Sequence, residues 1–156
     1  MILKNKKFII SAAADGIGFS ISKLIVENGG KVYLTDIDKI NINKIKSNKK
    51  FKNKIFAQFL DVNNYKDVKK YFLSLKKLNK IDGLINNVGV AGPTKYLENI
   101  SNEEWENTLK TNLNSHFYFS KFTIPFLKNI SFDFSYILLS IVFIGPKISS
   151  SKKSTS

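Results

Sequence analysis

The sequence predicts an α/β protein with a doubly wound parallel sheet of about five strands in the order 3-2-1-4-5. Short apolar runs alternate along the chain with longer segments in which apolar residues recur every three or four positions. That alternation is typical of parallel strands covered on both faces by helices. Hydrophobic residues make up 43% of the 156 residues, enough for one domain with its own core. Right-handed crossovers favour the doubly wound strand order.

The first strand, the first helix and the second strand have the clearest limits. Phe8–Ala12 is a short apolar run, and Val32–Thr35 is a second one that ends at Asp36. Between them, Asn28-Gly29-Gly30 ends a helix that begins near Gly16. The apolar residues of this helix have helical spacing: Ile17, Ile21, Leu24 and Ile25. The chain therefore begins with a strand–helix–strand unit.

The same alternation continues through the next two strands. Ile55–Leu60 is a third strand that ends at Asp61, and Leu84-Ile85 lies in a fourth. A lysine-rich helix is predicted over Asp38–Lys50, before the third strand. A further helix follows that strand, with apolar residues at helical spacing: Val68, Tyr71, Phe72 and Leu75.

A long helix and a fifth strand complete the pattern. Ser101 and Glu104 form a capping box, and the helix that they begin reaches Pro125–Lys128. Its apolar positions are Trp105, Leu109, Leu113, Phe117 and Phe122. Tyr136–Ile144 is the predicted fifth strand. We assign residues 1–145 to one domain and expect residues 146–156 to form a polar, disordered tail.

Composition narrows the classes of function. The net charge is +13, but all 25 basic residues are Lys, and Arg, the residue best suited to bidentate recognition of guanine and phosphate, is absent. Because the lysines are spread along the chain, we interpret them as a compositional bias and keep polyanion binding as a third hypothesis. The chain has no Cys, which excludes disulfides and thiolate chemistry and fits a cytoplasmic location. We expect no metal site. We also expect no membrane partner, since no apolar run approaches the roughly 20 residues of a membrane-spanning helix.

Residues near the N-terminus also resemble an export signal. Three lysines precede an apolar stretch, and Ala12-Ala13-Ala14 resembles a cleavage site. The stretch Phe8–Ala14 is at the lower limit of the roughly 7–15 residues of a signal core, and Asp15 follows it at once. We therefore favour a strand that leads into a turn.

That turn has the properties of a dinucleotide site. The N-terminus of the first helix offers free N–H groups and a positive dipole, which suit a pyrophosphate. Gly16 and Gly18 lack a Cβ, so the ligand and the strand can approach the backbone closely. Asp36, at the end of the second strand, is placed to accept hydrogen bonds from the ribose hydroxyls of an adenosine. Its charge repels the extra phosphate of NADP, so NAD is the preferred cofactor.

The motifs together resemble the short-chain dehydrogenase/reductase family, from residue 4 to about residue 128. Ser11–Gly18, SAAADGIG, resembles the family's TGxxxGxG turn. Asp61-Val62 resembles the family's DV pair, and Asn86–Gly89, NNVG, resembles NNAG. Thr111-Asn112-Leu113 resembles the asparagine motif of the family's long helix.

The resemblance implies a Rossmann-like domain and an NAD(P)-dependent oxidoreductase that transfers hydride between nicotinamide and an alcohol or ketone. It implies that Asp61 and Val62 border the adenine, that Asn86–Gly89 steadies the sheet and lines the adenosine side, and that Asn112 holds a water in a proton relay. The expected cofactor-binding residues are Ser11, Asp15, Gly16, Ile17, Gly18, Asp36, Asp61, Val62, Asn87 and Gly89.

Each candidate also has a purely structural interpretation. Those alternatives are a strand-end acid at Asp36, a helix N-cap at Asp61, turn residues at Asn86 and Asn87, and a helix-face amide at Asn112. We expect His116, the only histidine, to be a packing residue, and Trp105 to lie in the core or at an interface.

The resemblance ends after Lys128. The family carries a catalytic Ser on the fifth strand and then a YxxxK segment; Ser140 is our candidate for the Ser, and no Tyr follows Tyr136. We therefore expect a catalytically incomplete chain, the product of a truncated or frameshifted gene. The alternative is a non-catalytic module that binds a dinucleotide, or a partner such as a second copy through the edge of the fifth strand.

Overall fold

The computed structural model describes residues 1–127 and the backbone of residues 136–138. The five strands are β1 (Lys7–Ile10), β2 (Lys31–Asp36), β3 (Ile55–Phe59), β4 (Gly83–Ile85) and β5 (Tyr136–Leu138). The α-helices are α1 (Gly16–Glu27), α2 (Lys39–Ser47), α3 (Tyr65–Ser74), α4 (Asn102–Leu109) and α5 (Ser115–Leu127). Short 3₁₀ turns lie at Lys49–Phe51, Leu75–Leu78 and Leu97–Asn99. Residues 128–135 and 139–156, which include the predicted tail and the rest of the fifth strand, lie outside the described residues.

The strands form one parallel sheet in the order β3-β2-β1-β4-β5, which confirms the predicted order. β1 is central, with Ile9 opposite Tyr33 on one side and Leu84 on the other. The chain leaves β1 toward β2 and β3, then crosses back to β4. The strand order therefore reverses between β1 and β4, so the helices that follow these two strands lie on opposite faces of the sheet, an arrangement that leaves a crevice at the carboxyl ends of the strands.

The sheet has an apolar layer on each face because neighbouring strand residues point to opposite sides. Ile9 and Ile10 are both fully buried, one in each layer. The layer around Ile9 includes residues of α3 and α5, among them Val68, Phe72 and Phe119. The layer around Ile10 includes residues of α1 and α2: Ile25, Ile42 and Ile45.

Polar residues set where the helices begin. Asp15, Asp38 and Ser101 cap α1, α2 and α4, and Ser101 forms the predicted capping box with Glu104. The N-cap of α3 is Asn64, whose side-chain oxygen accepts from two backbone N–H groups. The interpretation of Asp61 as a helix N-cap is therefore wrong, because the N-cap lies three residues later, at Asn64, and α3 begins at Tyr65.

Two predicted elements differ from the structure. The first strand ends at Ile10 and not at Ala12, because Ala12 has a φ of 50° and turns the chain out of the extended conformation. The predicted long helix is interrupted by a π-helical stretch, Lys110–Asn114, between α4 and α5. Such a stretch inserts extra backbone into the helix and is frequent at functional sites.

The outer face of this helical segment is apolar and exposed. Trp105, Leu113 and Phe117 are each more than half exposed, so Trp105 does not lie in the core of the described chain. α5 instead buries the face that carries Ser115, Phe119, Thr123 and Leu127. Among the described residues, no helix has the length and apolar character needed to cross a membrane.

A buried acid joins the amino ends of β1 and β4. Asp82 accepts from the Lys7 backbone N–H at 2.9 Å, and the Nζ atoms of Lys6 and Lys80 each lie 3.2 Å from its Oδ1. Burial alone raises the pKa of this carboxyl, but the hydrogen bonds from Lys7, Lys6 and Lys80 outweigh burial and leave its pKa below the usual value.

The Asp82→Asn variant is expected to lose about 1 kcal/mol of unfolding free energy at neutral pH, since both lysines are partly exposed. The folded pKa is below the unfolded value of about 3.9, so the carboxylate stabilises the fold above about pH 4 and its contribution is lost as pH falls further. Urea unfolding at pH 7 and pH 3 measures this, with Asp67→Asn as a control for an exposed acid. A difference between wild type and Asp82→Asn that does not shrink at low pH contradicts the assignment.

Candidate functional site

A cleft of about 400 Å³ opens where the strand order reverses. Its lining comes from the residues that follow β1, β2, β3 and β4 and from the π-helical stretch. The lining residues are Ala12, Asp36, Ile37, Leu60, Asp61, Val62, Asn63, Asn87, Val88, Gly89, Val90 and Thr111. Five of the predicted cofactor-binding residues are among them: Asp36, Asp61, Val62, Asn87 and Gly89.

The turn after β1 is tied to the loop after β4, residues 86–90, which we call the Val88 loop. The Ser11 hydroxyl oxygen accepts from the N–H groups of Asn87 at 3.1 Å and of Val88 at 3.3 Å. The Asn87 side chain in turn donates to the Ala12 carbonyl at 2.6 Å. Ser11 is fully buried, so in this structure its side chain positions the loop and has no surface for a ligand.

Gly18 is needed for the close approach of α1 to both segments. A Cβ at this position would lie 2.5 Å from Asn87 Nδ2 and 2.8 Å from the Ala12 carbonyl oxygen. At Gly16 the backbone conformation favours glycine, because φ is +58°. Space is not the reason, since a Cβ there would meet nothing within 4 Å. The space beside Gly16 is therefore open.

Asp15, Gly16 and Ile17 form the exposed N-terminus of α1. The Asp15 carboxylate accepts from the Gly16 N–H at 2.7 Å. Further along the helix, the Phe19 N–H donates to the Asp15 carbonyl oxygen, the first such bond within this turn. The N–H groups of Ile17 and Gly18 lie just before it. Asp15, Gly16 and Ile17 do not line the cleft itself. They lie beside it, next to Ala12 and Asp36.

Asp36 links the end of β2 to the turn. Its Oδ2 accepts from the Ala14 N–H and its Oδ1 accepts from the Asp38 N–H, both at 2.9 Å. A carboxylate oxygen can accept more than one hydrogen bond, so both oxygens keep capacity for a ligand. Asp36 is thus held in place by two backbone donors at the edge of the cleft, as a structural acid at the end of a strand can be, and its role toward a cofactor stays a prediction.

The loop after β3 forms a further part of the lining. Asp61 Oδ1 accepts from the Asn63 N–H at 2.9 Å, and Asn63 Nδ2 donates to Thr111 Oγ1 at 3.0 Å. Val62 is buried beside them. The Asn63–Thr111 bond connects this loop to the π-helical stretch.

Two side chains of the long helical segment hold the Val88 loop. Asn112 Oδ1 accepts from the Val90 N–H and Asn112 Nδ2 donates to the Val90 carbonyl, both at 2.8 Å. The His116 Nε2 lies 2.8 Å from the Val88 carbonyl oxygen. Asn112 is therefore not a free amide on the helix face, and His116 does more than pack.

Sequence reasoning missed several lining residues: Ile37, Leu60, Asn63, Val90 and Thr111. Ile37 could have been found from its position, because it directly follows Asp36, where the sequence already predicts the adenosine ribose; the structure leaves its side chain 65% exposed. Asn63 and Thr111 are 48 residues apart, and nothing in either local pattern indicates their contact.

Ser140, the candidate catalytic Ser, lies outside the described residues. In residues 1–127 and 136–138, no group of three or more His, Cys, Asp or Glu side chains is arranged to hold a metal ion.

The two glycines of the turn provide a matched test of the site geometry. We expect Gly18→Ala to cost at least about 2 kcal/mol of unfolding free energy, because backbone and Asn87 must move to admit the Cβ. Gly16→Ala meets no neighbour and is expected to cost only about 1 kcal/mol, for the positive φ. Urea unfolding of both variants measures the difference; equal costs contradict the close approach at Gly18.

Comparison with known proteins places this geometry in a family. The short chain dehydrogenase family matches residues 6–134. Chanoclavine-I dehydrogenase of Penicillium roqueforti is 30% identical over 143 residues, covering 84% of this chain and 54% of that protein. A 3-oxoacyl-[acyl-carrier-protein] reductase of Buchnera aphidicola is 32% identical over 125 residues, covering 80% of this chain and 50% of that protein.

Solved structures agree with these matches. Aldohexose dehydrogenase of Thermoplasma acidophilum has a TM-score of 0.68 at 29% identity, covering 81% of this chain and 46% of that one. A short chain dehydrogenase of Leptospira borgpetersenii with bound NAD⁺ has a TM-score of 0.68 at 25% identity, covering 79% and 46%. The chain spans about half the length of the curated relatives that it matches. From the family match, the shared fold and the cleft at the reversal of strand order, the chain belongs to the short-chain dehydrogenase/reductase family of oxidoreductases.

Proposed function

We propose that the chain binds NAD in the cleft, and that the protein acts as an oxidoreductase that moves hydride between this cofactor and an alcohol or ketone. The observation that carries the proposal is the Asp36 carboxylate, held by two backbone donors at the edge of a cleft of about 400 Å³. The family match and the NAD⁺-bound relative support it.

The proposed placement of the cofactor follows from the chemistry of each segment. Asp36 accepts from the adenosine ribose hydroxyls, and Asp61 and Val62 border the adenine. The N-terminus of α1, at Gly16–Gly18, supplies N–H groups and a positive dipole to the pyrophosphate. The Val88 loop, with Asn87 and Gly89, lines the route from the adenosine toward the nicotinamide.

NAD is the proposed cofactor in preference to NADP. The 2′-phosphate of NADP would lie close to the Asp36 carboxylate, and like charges at short distance repel. Arg is absent from the 156 residues, so the bidentate partner best suited to that phosphate is missing.

Hydride transfer to a carbonyl also needs a proton donor within hydrogen-bond reach of the substrate oxygen. Bound NAD supplies the hydride chemistry, and the protein must supply the donor. In this family a Tyr in a YxxxK segment does so, and no Tyr follows Tyr136 in these 156 residues. Ser140 remains the proposed group that polarises the substrate oxygen. We therefore propose that the 156 residues bind the cofactor without efficient turnover.

We propose that Asn112 takes part in the proton relay, within the limit set by its hydrogen bonds to Val90. Both polar atoms of its side chain already bond to Val90. A relay water would use their remaining hydrogen-bonding capacity or a backbone carbonyl of the π-helical stretch, where the regular helical pairing is altered.

The second candidate function is a cofactor-binding module without chemistry. It rests on the same cleft and on the held Asp36 carboxylate, and it requires no catalytic group. Cytoplasmic location and association with a second copy stay predictions. The exposed apolar residues Trp105, Leu113 and Phe117 are compatible with association.

Replacing Asp36 with Ala is expected to weaken NAD binding about tenfold or more, because hydrogen bonds to a charged acceptor are lost. The preference for NAD over NADP is expected to fall at the same time. Calorimetric titration of both cofactors measures this, with Asp36→Asn to separate charge from shape. Asp67→Asn, an exposed acid of α3, is the control for a change in net charge. An unchanged preference in Asp36→Ala removes Asp36 from the site.

The purified 156-residue protein is expected to bind NAD but to give no NADH above background with a panel of secondary alcohols. The appearance of NADH absorbance is the measurement. Oxidation of an alcohol needs a group that accepts the hydroxyl proton, the reverse of the donation needed in carbonyl reduction. Clear turnover therefore contradicts the proposal that these residues lack such a group. Binding of DNA with no binding of NAD instead supports the polyanion hypothesis.

A further inference from the structure

We propose that His116 is a positioning residue: it fixes the direction of the peptide group between Val88 and Gly89, and through it the hydrogen-bonding face that the cleft presents to the cofactor. The inference rests on the proposed function, since it concerns the wall of the same cleft. It departs from the sequence-based expectation that His116 only packs.

The contact itself determines which ring atom carries the proton. The His116 Nε2 and the Val88 carbonyl oxygen are 2.8 Å apart. A carbonyl oxygen only accepts, so Nε2 is protonated and donates. His116 lies at the start of α5, four residues after Asn112 and on the same face of the helix. Both side chains therefore reach the Val88 loop from one side.

Among residues 1–127, little else restrains this peptide group. Gly89 is exposed, and a Cβ there would meet only Asn112 Oδ1, at 3.7 Å. Glycine adopts positive and negative φ with similar ease, so the peptide before it can rotate at small cost. The Ser11 hydroxyl holds the N–H groups of Asn87 and Val88, and Asn112 holds Val90. Neither side chain bonds to the Val88 carbonyl.

The direction of the carbonyl decides the direction of the N–H group. The described peptides are all trans, and in a trans peptide the C=O and N–H groups point to opposite sides. With its carbonyl turned toward α5, this peptide turns the Gly89 N–H away from α5. A rotated peptide would present a carbonyl oxygen there instead. The phosphate oxygens of a dinucleotide only accept hydrogen bonds, so a donor suits them and a carbonyl facing a phosphate repels it.

The test compares variants that keep or remove the donor. His116→Phe keeps an aromatic ring without the N–H, and His116→Gln keeps a side-chain donor. We expect Phe to weaken NAD binding about tenfold and Gln to restore affinity to within about threefold of wild type. Phe117→Leu, a change at the exposed neighbouring residue, is the control. His116→Met is the second donor-free variant if His116→Phe does not fold.

The amide resonance of Gly89 in ¹⁵N-labelled protein reports the peptide without any ligand. The inference is supported if the Gly89 amide chemical shift changes strongly in the donor-free variant and only slightly in His116→Gln and Phe117→Leu. Donor-free protein that is folded and binds NAD within twofold of wild type overturns it. So does a Gln variant as weak as the donor-free one. If wild type itself binds no NAD, the proposed function fails. The Gly89 resonance then decides the inference: no shift in the donor-free variant overturns it.

Discussion

The cleft depends on one close approach, between the turn after β1 and the loop after β4. Gly18 allows it, because any Cβ there would lie within 2.8 Å of the Ala12 carbonyl oxygen and nearer still to the Asn87 amide. Asn87 then donates to Ala12, and Ser11 accepts from the loop that carries Asn87. The two segments are thereby held as one unit at the point where the strand order reverses, which places the N-terminus of α1 beside the cleft.

Side-chain hydrogen bonds, together with backbone bonds such as that from the Ala13 N–H to the Thr35 carbonyl, attach the other walls of the cleft to this unit. Asp36 bonds to Ala14 and so ties β2 to the turn. Asn63 bonds to Thr111 and ties the loop after β3 to the π-helical stretch. Asn112 and His116 hold the Val88 loop from the opposite side. Most of these bonds use a side chain to fix the backbone of a loop, which is how irregular segments keep a shape that a ligand can recognise.

The residues proposed to bind the cofactor therefore also have structural roles. Asp36 accepts two backbone hydrogen bonds and keeps free acceptor capacity, so its structural role does not exclude the proposed contact with a ribose. Both polar atoms of the Asn112 side-chain amide form hydrogen bonds with the Val90 backbone. The proposed contribution of Asn112 to a proton relay is therefore limited to the hydrogen-bonding capacity that remains. Asp61 forms a turn with Asn63 and leaves the capping of α3 to Asn64.

The sequence by itself determined the order of strands and helices, the turn at Ser11–Gly18 and the acid at Asp36. These features depend on local periodicity, glycine and capping residues, which act over a few positions. Only the tertiary structure decided the end of β1 at Ile10, the break of the long helix at Lys110–Asn114, and the exposure of Trp105. It also decided the partners of Asn63 and His116. Those outcomes depend on contacts between residues far apart in the chain, where no local pattern records which side chain meets which backbone.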